Sequence, residues 1–389
     1  VRPEFIDLSI DFKLFLTDLN NKNIFDLKRA KVWLLEHGSD LSGVSYDMML
    51  ASYLALPSMK NTDFNVVCNY FDYNDVPYEE NVYGKGAKRG IPSNDILYDY
   101  IAKKCIAIEK LKSRILEELE NNRQLDLLND IEIPLASVLA KMECSGMVID
   151  KEELEKQKDY YSNEIKELEN KIYELAGLEF NIQSPKQLGE VLFEKLGLPV
   201  VKKSKTGGYT TDIEVLNYLA DKHEIINYII RYRSVTKLYQ TYLVGLEAQI
   251  YPDGRVHTIF EQALTATGRL SSIEPNVQNI PTRTPEGKDI RKLFVCSDSN
   301  HLLFTYDYSQ IELRVLAHMA KVPLLIDAFR NGLDVHAETA KKIFNVSEVD
   351  SGLRRRAKAV NFGIVYGISA FGLSEGTDLT PKEAKEFID

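Results

Sequence analysis

The four-residue spacing of Arg354, Lys358, Phe362 and Tyr366 constrains this chain more than any other feature. At about 100° per residue they fall near 0°, 40°, 80° and 120° on a helical wheel, one slanted stripe about 18 Å long. Ala357, Val360 and Ile364 fall on the opposite side, at about 240° to 300°, and are the packing face. The cations sit toward the N-terminal end, where the helix dipole also favours anions. The rings sit toward the C-terminal end. One face therefore offers contacts to phosphate, then a ring to face a sugar or base, then a ring to stack on a base pair. An ordinary amphipathic surface helix explains neither the rings on the charged side nor Gly363 and Gly367, each costing ~1 kcal/mol against alanine.

Upstream, Leu302-Leu303-Phe304-Thr305-Tyr306 reads as a buried strand that delivers Asp307 at its C-terminal end. A carboxylate held there suits a divalent cation in phosphoryl transfer; it could equally begin the turn before the next helix. Ser309 and Glu312 have Ser-x-x-Glu spacing ahead of an apolar helix, so a capping box explains both without function. His336, in Leu333-Asp334-Val335-His336, has an ordinary reading as a buried, satisfied histidine. Arg269, in Thr267-Gly268-Arg269-Leu270-Ser271-Ser272, can anchor its own turn. Arg233 and Lys237 stand one helical turn apart and can be a solvated charged face.

A chain of 389 residues exceeds one ordinary core, so two or more domains are expected. The net charge of −10 opposes nucleic-acid binding only on average. Cations gather at Lys202, Lys203 and Lys205, at Arg231, Arg233 and Lys237, and at Arg354 to Lys358, and a polyanion sees only the face it touches. No run of some eighteen apolar residues occurs, and no secretory leader is evident. The four cysteines have neither metal-ligand nor disulfide spacing, which suits a reducing cytoplasm. Helices are expected over 25–35, 48–56, 97–119, 133–142, 152–175, 186–196, 223–249, 354–367 and 381–388, and a strand over 256–260. Residues 83–92 read as a mobile surface loop; they lack P-loop spacing. The chain begins at Val1 and stops inside a helical pattern, and it reads as a fragment.

The run from Asp307 to Arg314 and the run through Arg354, Lys358, Asn361-Phe362-Gly363 and Tyr366-Gly367 together resemble motifs A and B of the family A DNA polymerases. The segment Asn181 to Gly189 extends the resemblance, which runs through the whole chain. It implies a multidomain α+β and α/β fold: an RNase H-like exonuclease-type domain over 1–120, then a right-hand polymerase over 121–389. Within the latter the thumb is expected at about 150–255, the palm at about 121–149 and 256–320, and partial fingers at about 321–389. The implied activity is template-directed addition of dNTPs to a primer 3′-hydroxyl, in DNA replication and repair. Two Mg²⁺ ions would be held by Asp307, with the Tyr308 carbonyl as a further ligand. Arg354 and Lys358 would hold the triphosphate, with Lys358 also catalytic. Gln310 and His336 would touch the nucleotide. Glu312 would pack under its sugar and exclude a 2′-hydroxyl, Phe362 would face the sugar, and Tyr366 would stack at the insertion site. Arg269 would read the minor groove at the primer terminus, where base acceptors are nearly sequence-independent. Gln278 and Asn279 would contact the adjoining DNA, and Arg233 and Lys237 the primer backbone. A bacterial, cytoplasmic, nucleoid-associated monomer acting on primer–template DNA, with no membrane partner, is expected.

Two departures from the family pattern matter. The stretch matching the second exonuclease motif carries Ala30 where an aspartate is expected, and Lys104 replaces the aspartate of the third. A lysine repels the cation it should bind, so no proofreading is expected unless Asp26 or Asp99 substitutes. Motif C, a His-Asp-Glu, is not among these residues, so the chain by itself is expected to bind DNA weakly and not to extend a primer. A single-subunit RNA polymerase, disfavoured by Glu312 and Phe362, and a non-catalytic DNA-binding relative are the alternatives.

Overall fold

One buried carboxylate organises the start of the chain. Asp47 is fully buried and accepts from the backbone N–H of Asp26, Leu27, Met49 and Leu50. It thereby supplies acceptors to the first turns of two helices, α1 (Leu27–Glu36) and α2 (Met48–Ala55), whose leading N–H groups have no partner of their own. Burial raises its carboxyl to about 6, against the pull of those donors. Strand β1 (Lys22–Ile24) pairs parallel with β2 (Val44–Asp47), which ends on this residue. Helix α3 (Asn94–Asn121) lines its apolar side, Ala107, Leu111, Ile115 and Leu119, against the same core.

The computed structural model describes residues 10–56, 59, 62–203, 207–281, 284–375 and 380–388. The chain divides into two compact units, 1–303 and 304–389; Lys205 lies outside the described residues.

In the first unit, α4 (Ile133–Ser145) leads through β3 (Met147–Ile149) to α5 (Lys151–Ala176). Asp150 caps α5 by accepting from Glu153 N, and left-handed Gly177 ends it, close to the expected 152–175. Helix α6 (Ile225–Leu238) packs on α5 and continues as a wide turn over Tyr239–Val244 into Gly245–Glu247. Ile172, Leu188, Leu216, Ile226 and Ile229 close one core here, each side chain contributing about 1.5–3 kcal/mol. Arg231 joins the layers by pairing with Glu164 at 2.7 Å and with Glu286.

The expected strand over 256–260 is two strands. β4 (Arg255–Val256) joins β3 and β7 (Phe294–Val295) in a three-stranded antiparallel sheet, while β5 (Ile259–Glu261) pairs with β6 (Ser271–Ile273). Between them Thr258 turns its hydroxyl onto the carbonyls of Ile273 and Pro275 and breaks the run. The expected buried strand over 302–306 is also corrected. Residues 301–308 form no ladder with any described strand, and Leu302, Phe304 and Tyr306 are 92%, 84% and 80% exposed. An apolar run becomes a buried strand only where a neighbour receives its N–H and C=O groups.

The second unit is helical: α7 (Ile311–Met319), α8 (Pro323–Arg330), α9 (Val335–Phe344), α10 (Ser351–Val365), α11 (Ala370–Glu375) and α12 (Pro381–Ile388). Helices α9 and α10 pack together, and Val360, Leu373 and Ala384 form the small core.

Candidate nucleotide and nucleic-acid site

Helix α10 begins at Asp350, whose carboxylate accepts from Leu353 N, and it carries the predicted stripe. Ala357 and Val360 are buried, as the wheel requires; the Ile364 side chain lies outside those described. On the other side, Lys358 Nζ stands 5.7 Å from the centroid of Phe362. The Phe362 and Tyr366 rings are 6.4 Å apart and nearly parallel at 16°. Tyr366 donates its hydroxyl hydrogen to Glu312 Oε2 at 2.7 Å, so the second ring is tied to α7. Arg354, Lys358, Phe362, Tyr366 and Glu312 thus belong to one local arrangement, running from cation to ring to carboxylate.

Sequence reasoning missed two of its residues. Asp334 caps α9 through His336 N and Ala337 N, and its second oxygen takes the Arg354 guanidinium at 2.5 Å. Burial works to raise the Asp334 carboxyl, but Arg354 and the backbone donors hold it below its ordinary value. Asn361 donates its amide to His336 Nδ1 and to Thr339 Oγ1, each at 3.0 Å. That bond makes Nδ1 the acceptor and leaves the ring hydrogen on Nε2. His336 is 1% exposed, and its Nε2 is buried with no hydrogen-bond partner among the described residues. Burial lowers its pKa; Arg354 and Lys358 lower it further, and Asp334 opposes them. The histidine is therefore buried but only half satisfied. An acidic residue just before an apolar helical run was the readable signal for Asp334; nothing local marks Asn361.

Asp307 and Tyr308 are exposed on the segment leading into α7. A carboxylate and a carbonyl are oxygen donors of the kind that suits Mg²⁺, which uses one or two carboxylates and completes its shell with water and phosphate. Among the described residues no group of three His, Cys, Asp or Glu side chains is gathered to hold a metal. The capping box that would explain Ser309 and Glu312 without function is not formed. Gln310, left-handed at φ 50°, is the residue at the N-cap and makes no side-chain cap bond. Instead Ser309 offers its carbonyl to Arg314 Nε at 2.8 Å, and Glu312 serves Tyr366. The Gln310 Oε1 is buried without a hydrogen-bond partner among the described residues.

In the first unit, Arg233 and Lys237 border a cavity of about 610 Å³ with Gln183, Tyr209 and Thr236. Arg233 is committed inward. It donates to the Thr211 carbonyl and, at 3.0 Å, to Thr211 Oγ1, and burial lowers its pKa. Asn276 caps a tight turn by accepting from Gln278 N and Asn279 N at 3.1 and 3.2 Å, and Tyr242 donates to the Asn279 carbonyl. Arg269 follows left-handed Gly268 on the exposed turn between β5 and β6.

The nuclease-like region has a cavity of about 950 Å³ bordered by Asp26, Arg29, Ala30, Phe64 and Lys104. Lys104 Nζ lies 4.6 Å from the Phe64 ring and 5.2 Å from the Tyr100 ring, and burial lowers its pKa. Asp26 accepts from Arg29 N, and Asp99 pairs with Lys103 at 2.7 Å.

Comparison with known proteins identifies the family and the fold. The model of "DNA polymerase family A" matches residues 151–389, and that of "DNA polymerase I, ribonuclease H-like domain" matches residues 2–111. DNA polymerase I of Bacillus subtilis (strain 168) is 49% identical over 98% of this chain and 44% of its own length. DNA polymerase I of Geobacillus stearothermophilus is 50% identical over 100% of this chain and 45% of its own. Among solved structures, the POL domain of Pol1 from M. smegmatis, in complex with DNA primer-template and dNTP, matches with TM-score 0.84 and 34% identity. That match covers 97% of this chain and 65% of the other. The chain thus spans less than half the length of the curated relatives.

Proposed function

The chain belongs to the family A DNA polymerases, with an RNase H-like exonuclease domain ahead of the polymerase region, and on that premise we propose that it forms part of a template-directed DNA polymerase. The reaction joins a primer 3′-hydroxyl to the α-phosphate of a dNTP and releases pyrophosphate. The observation that carries this reading is the continuous arrangement of Arg354, Lys358, Phe362, Tyr366 and Glu312 within one unit.

Arg354 and Lys358 bind the triphosphate, and Lys358 also balances charge on the leaving group. The Nε2–H of His336 donates to a phosphate oxygen. Phe362 faces the sugar. Glu312, fixed by Tyr366, occupies the space a 2′-hydroxyl would need, and Tyr366 closes the insertion site. Gln310, at the N-cap of α7, touches the nucleotide. Family A enzymes are metal-dependent; Asp307 and the Tyr308 carbonyl would hold Mg²⁺, and two such ions supply charge neutralisation at the reacting phosphates. Lys237, Arg269, Gln278 and Asn279 contact primer–template DNA, and Arg233 supports that surface through Thr211. Ala30 and Lys104 in place of carboxylates support an absence of proofreading. The nuclease-like domain covers about 1–120, followed by palm, thumb and fingers. The protein works as a monomer in the bacterial cytoplasm, at the nucleoid. No helix among the described residues is long and apolar enough to cross a membrane.

Substituting Glu312→Ala in the polymerase that carries this chain tests the sugar-facing geometry and separates a DNA from an RNA polymerase. Ribonucleotide incorporation is expected to rise roughly tenfold or more relative to dNTP incorporation, because a steric gate is removed. Unchanged discrimination contradicts the assignment.

A further inference from the structure

Three polar anchors tie the β5–β6 hairpin to helices from the first part of the chain. Lys28 Nζ and Phe260 N both donate to Glu143 Oε1, at 2.6 and 2.8 Å. Gln262 Nε2 donates to the Glu132 carbonyl at 2.9 Å and to its carboxylate at 2.6 Å. The third anchor reaches the turn itself: the hydroxyl of Tyr53, on α2, donates to the carbonyl of Thr265 at 2.5 Å. Tyr53 is 4% exposed and packs in the core shared by α1, α2 and α3.

Thr265 is the hub of the turn. Its carbonyl also accepts from Gly268 N at 3.4 Å, and its hydroxyl donates to the Arg269 carbonyl at 2.7 Å. The phenol of a buried residue in the nuclease-like region and the backbone on both sides of Arg269 therefore meet at one residue. Loops on exposed turns open locally at small free-energy cost, so a single well-placed hydrogen bond controls much of their population. A buried tyrosine hydroxyl needs an acceptor, but packing alone does not require that acceptor to lie on the turn that presents Arg269.

We propose that Tyr53 is a positioning residue for primer-terminus recognition: from the nuclease-like domain, it fixes the 265–269 turn and thereby the presentation of Arg269. The inference rests on the reading of Arg269 given above. It also gives the nuclease-like domain a role within polymerisation that needs no nuclease chemistry.

The test is Tyr53→Phe, which keeps the ring and removes only the hydroxyl, with Thr265→Val as a second variant that removes the hydroxyl bond to Arg269 from the other end. Amide hydrogen exchange at Gly268 and Arg269 of the chain is expected to quicken roughly three- to tenfold, the factor one hydrogen bond is worth, while exchange in α2 stays unchanged. Affinity for a primer–template duplex is expected to fall by a similar factor. In an Arg269→Ala background, Tyr53→Phe is expected to cost no further affinity, because residues acting through one group are not additive. Unchanged exchange in the turn overturns the proposal. So does a full additive loss in the Arg269→Ala background, which marks Tyr53 as structural only. If Arg269→Ala itself leaves affinity unchanged, the reading of Arg269 fails and the proposal falls with it, whatever the exchange data show.

Discussion

Arg354 has a partner before any phosphate arrives. Its pair with Asp334 is 44% and 36% exposed, and such pairs are worth about 0–1 kcal/mol, so a triphosphate can displace it. Asp334→Asn keeps an N-cap side chain and releases Arg354; dNTP affinity is expected to rise by a factor of about two to five, measured by titration. A loss of affinity would show that Asp334 orients Arg354 rather than competing for it. His336 makes a pH prediction. Its pKa is lowered on folding, so the unfolded chain binds the proton more readily. Stability from the neutral ring is present above the ordinary value of about 6.5 and is lost as pH falls through the folded value. Denaturant midpoints of the second unit are expected to decline as pH falls from about 6.5 toward the folded value, with a shallower decline in His336→Gln; equal slopes would contradict it. The histidine itself was legible from its sequence context. Its orphan Nε2 was not, because that depends on Asn361 reaching across from another helix.

Helices were more legible than strands because their signals are local. The stripe on α10 follows from periodicity alone, and the helices expected over 133–142 and 152–175 form as α4 and α5. The β strands required knowledge of partners: 256–260 divides because its halves join different sheets, and 302–306 lacks a described neighbour. The capping box failed for a related reason. Glu312 is recruited by Tyr366, a residue remote in sequence. The glycines in and just beyond α10, Gly363 and Gly367, acquire separate reasons. A Cβ on Gly363 would come within 2.9 Å of Ile368 Cδ1, and Gly367 turns left-handed at φ 76°. Gly367→Ala is expected to cost about 1 kcal/mol of stability through that conformation, read from denaturant midpoints of the second unit. No loss would mean the helix end does not require it.

On the scale of the whole molecule, the nuclease-like region, with Ala30 and Lys104 at two positions where carboxylates are expected, is joined to the segments that follow it by buried polar contacts. Lys28 and Glu143 pair at 2.6 Å with side chains 10% and 7% exposed. Glu143→Ala strands a buried ammonium and the Phe260 N–H, and a loss of roughly 3–5 kcal/mol is expected in equilibrium unfolding; a loss under 1 kcal/mol would mean the site rehydrates freely. The central claim concerns Asp307, and it is tested most directly by primer extension and primer–template affinity measured side by side in the polymerase carrying Asp307→Ala. The account predicts extension reduced by roughly a thousandfold or more, as loss of a metal-holding group requires, with affinity within about threefold of the parent. Extension that survives, or affinity that falls as far as extension does, would contradict it.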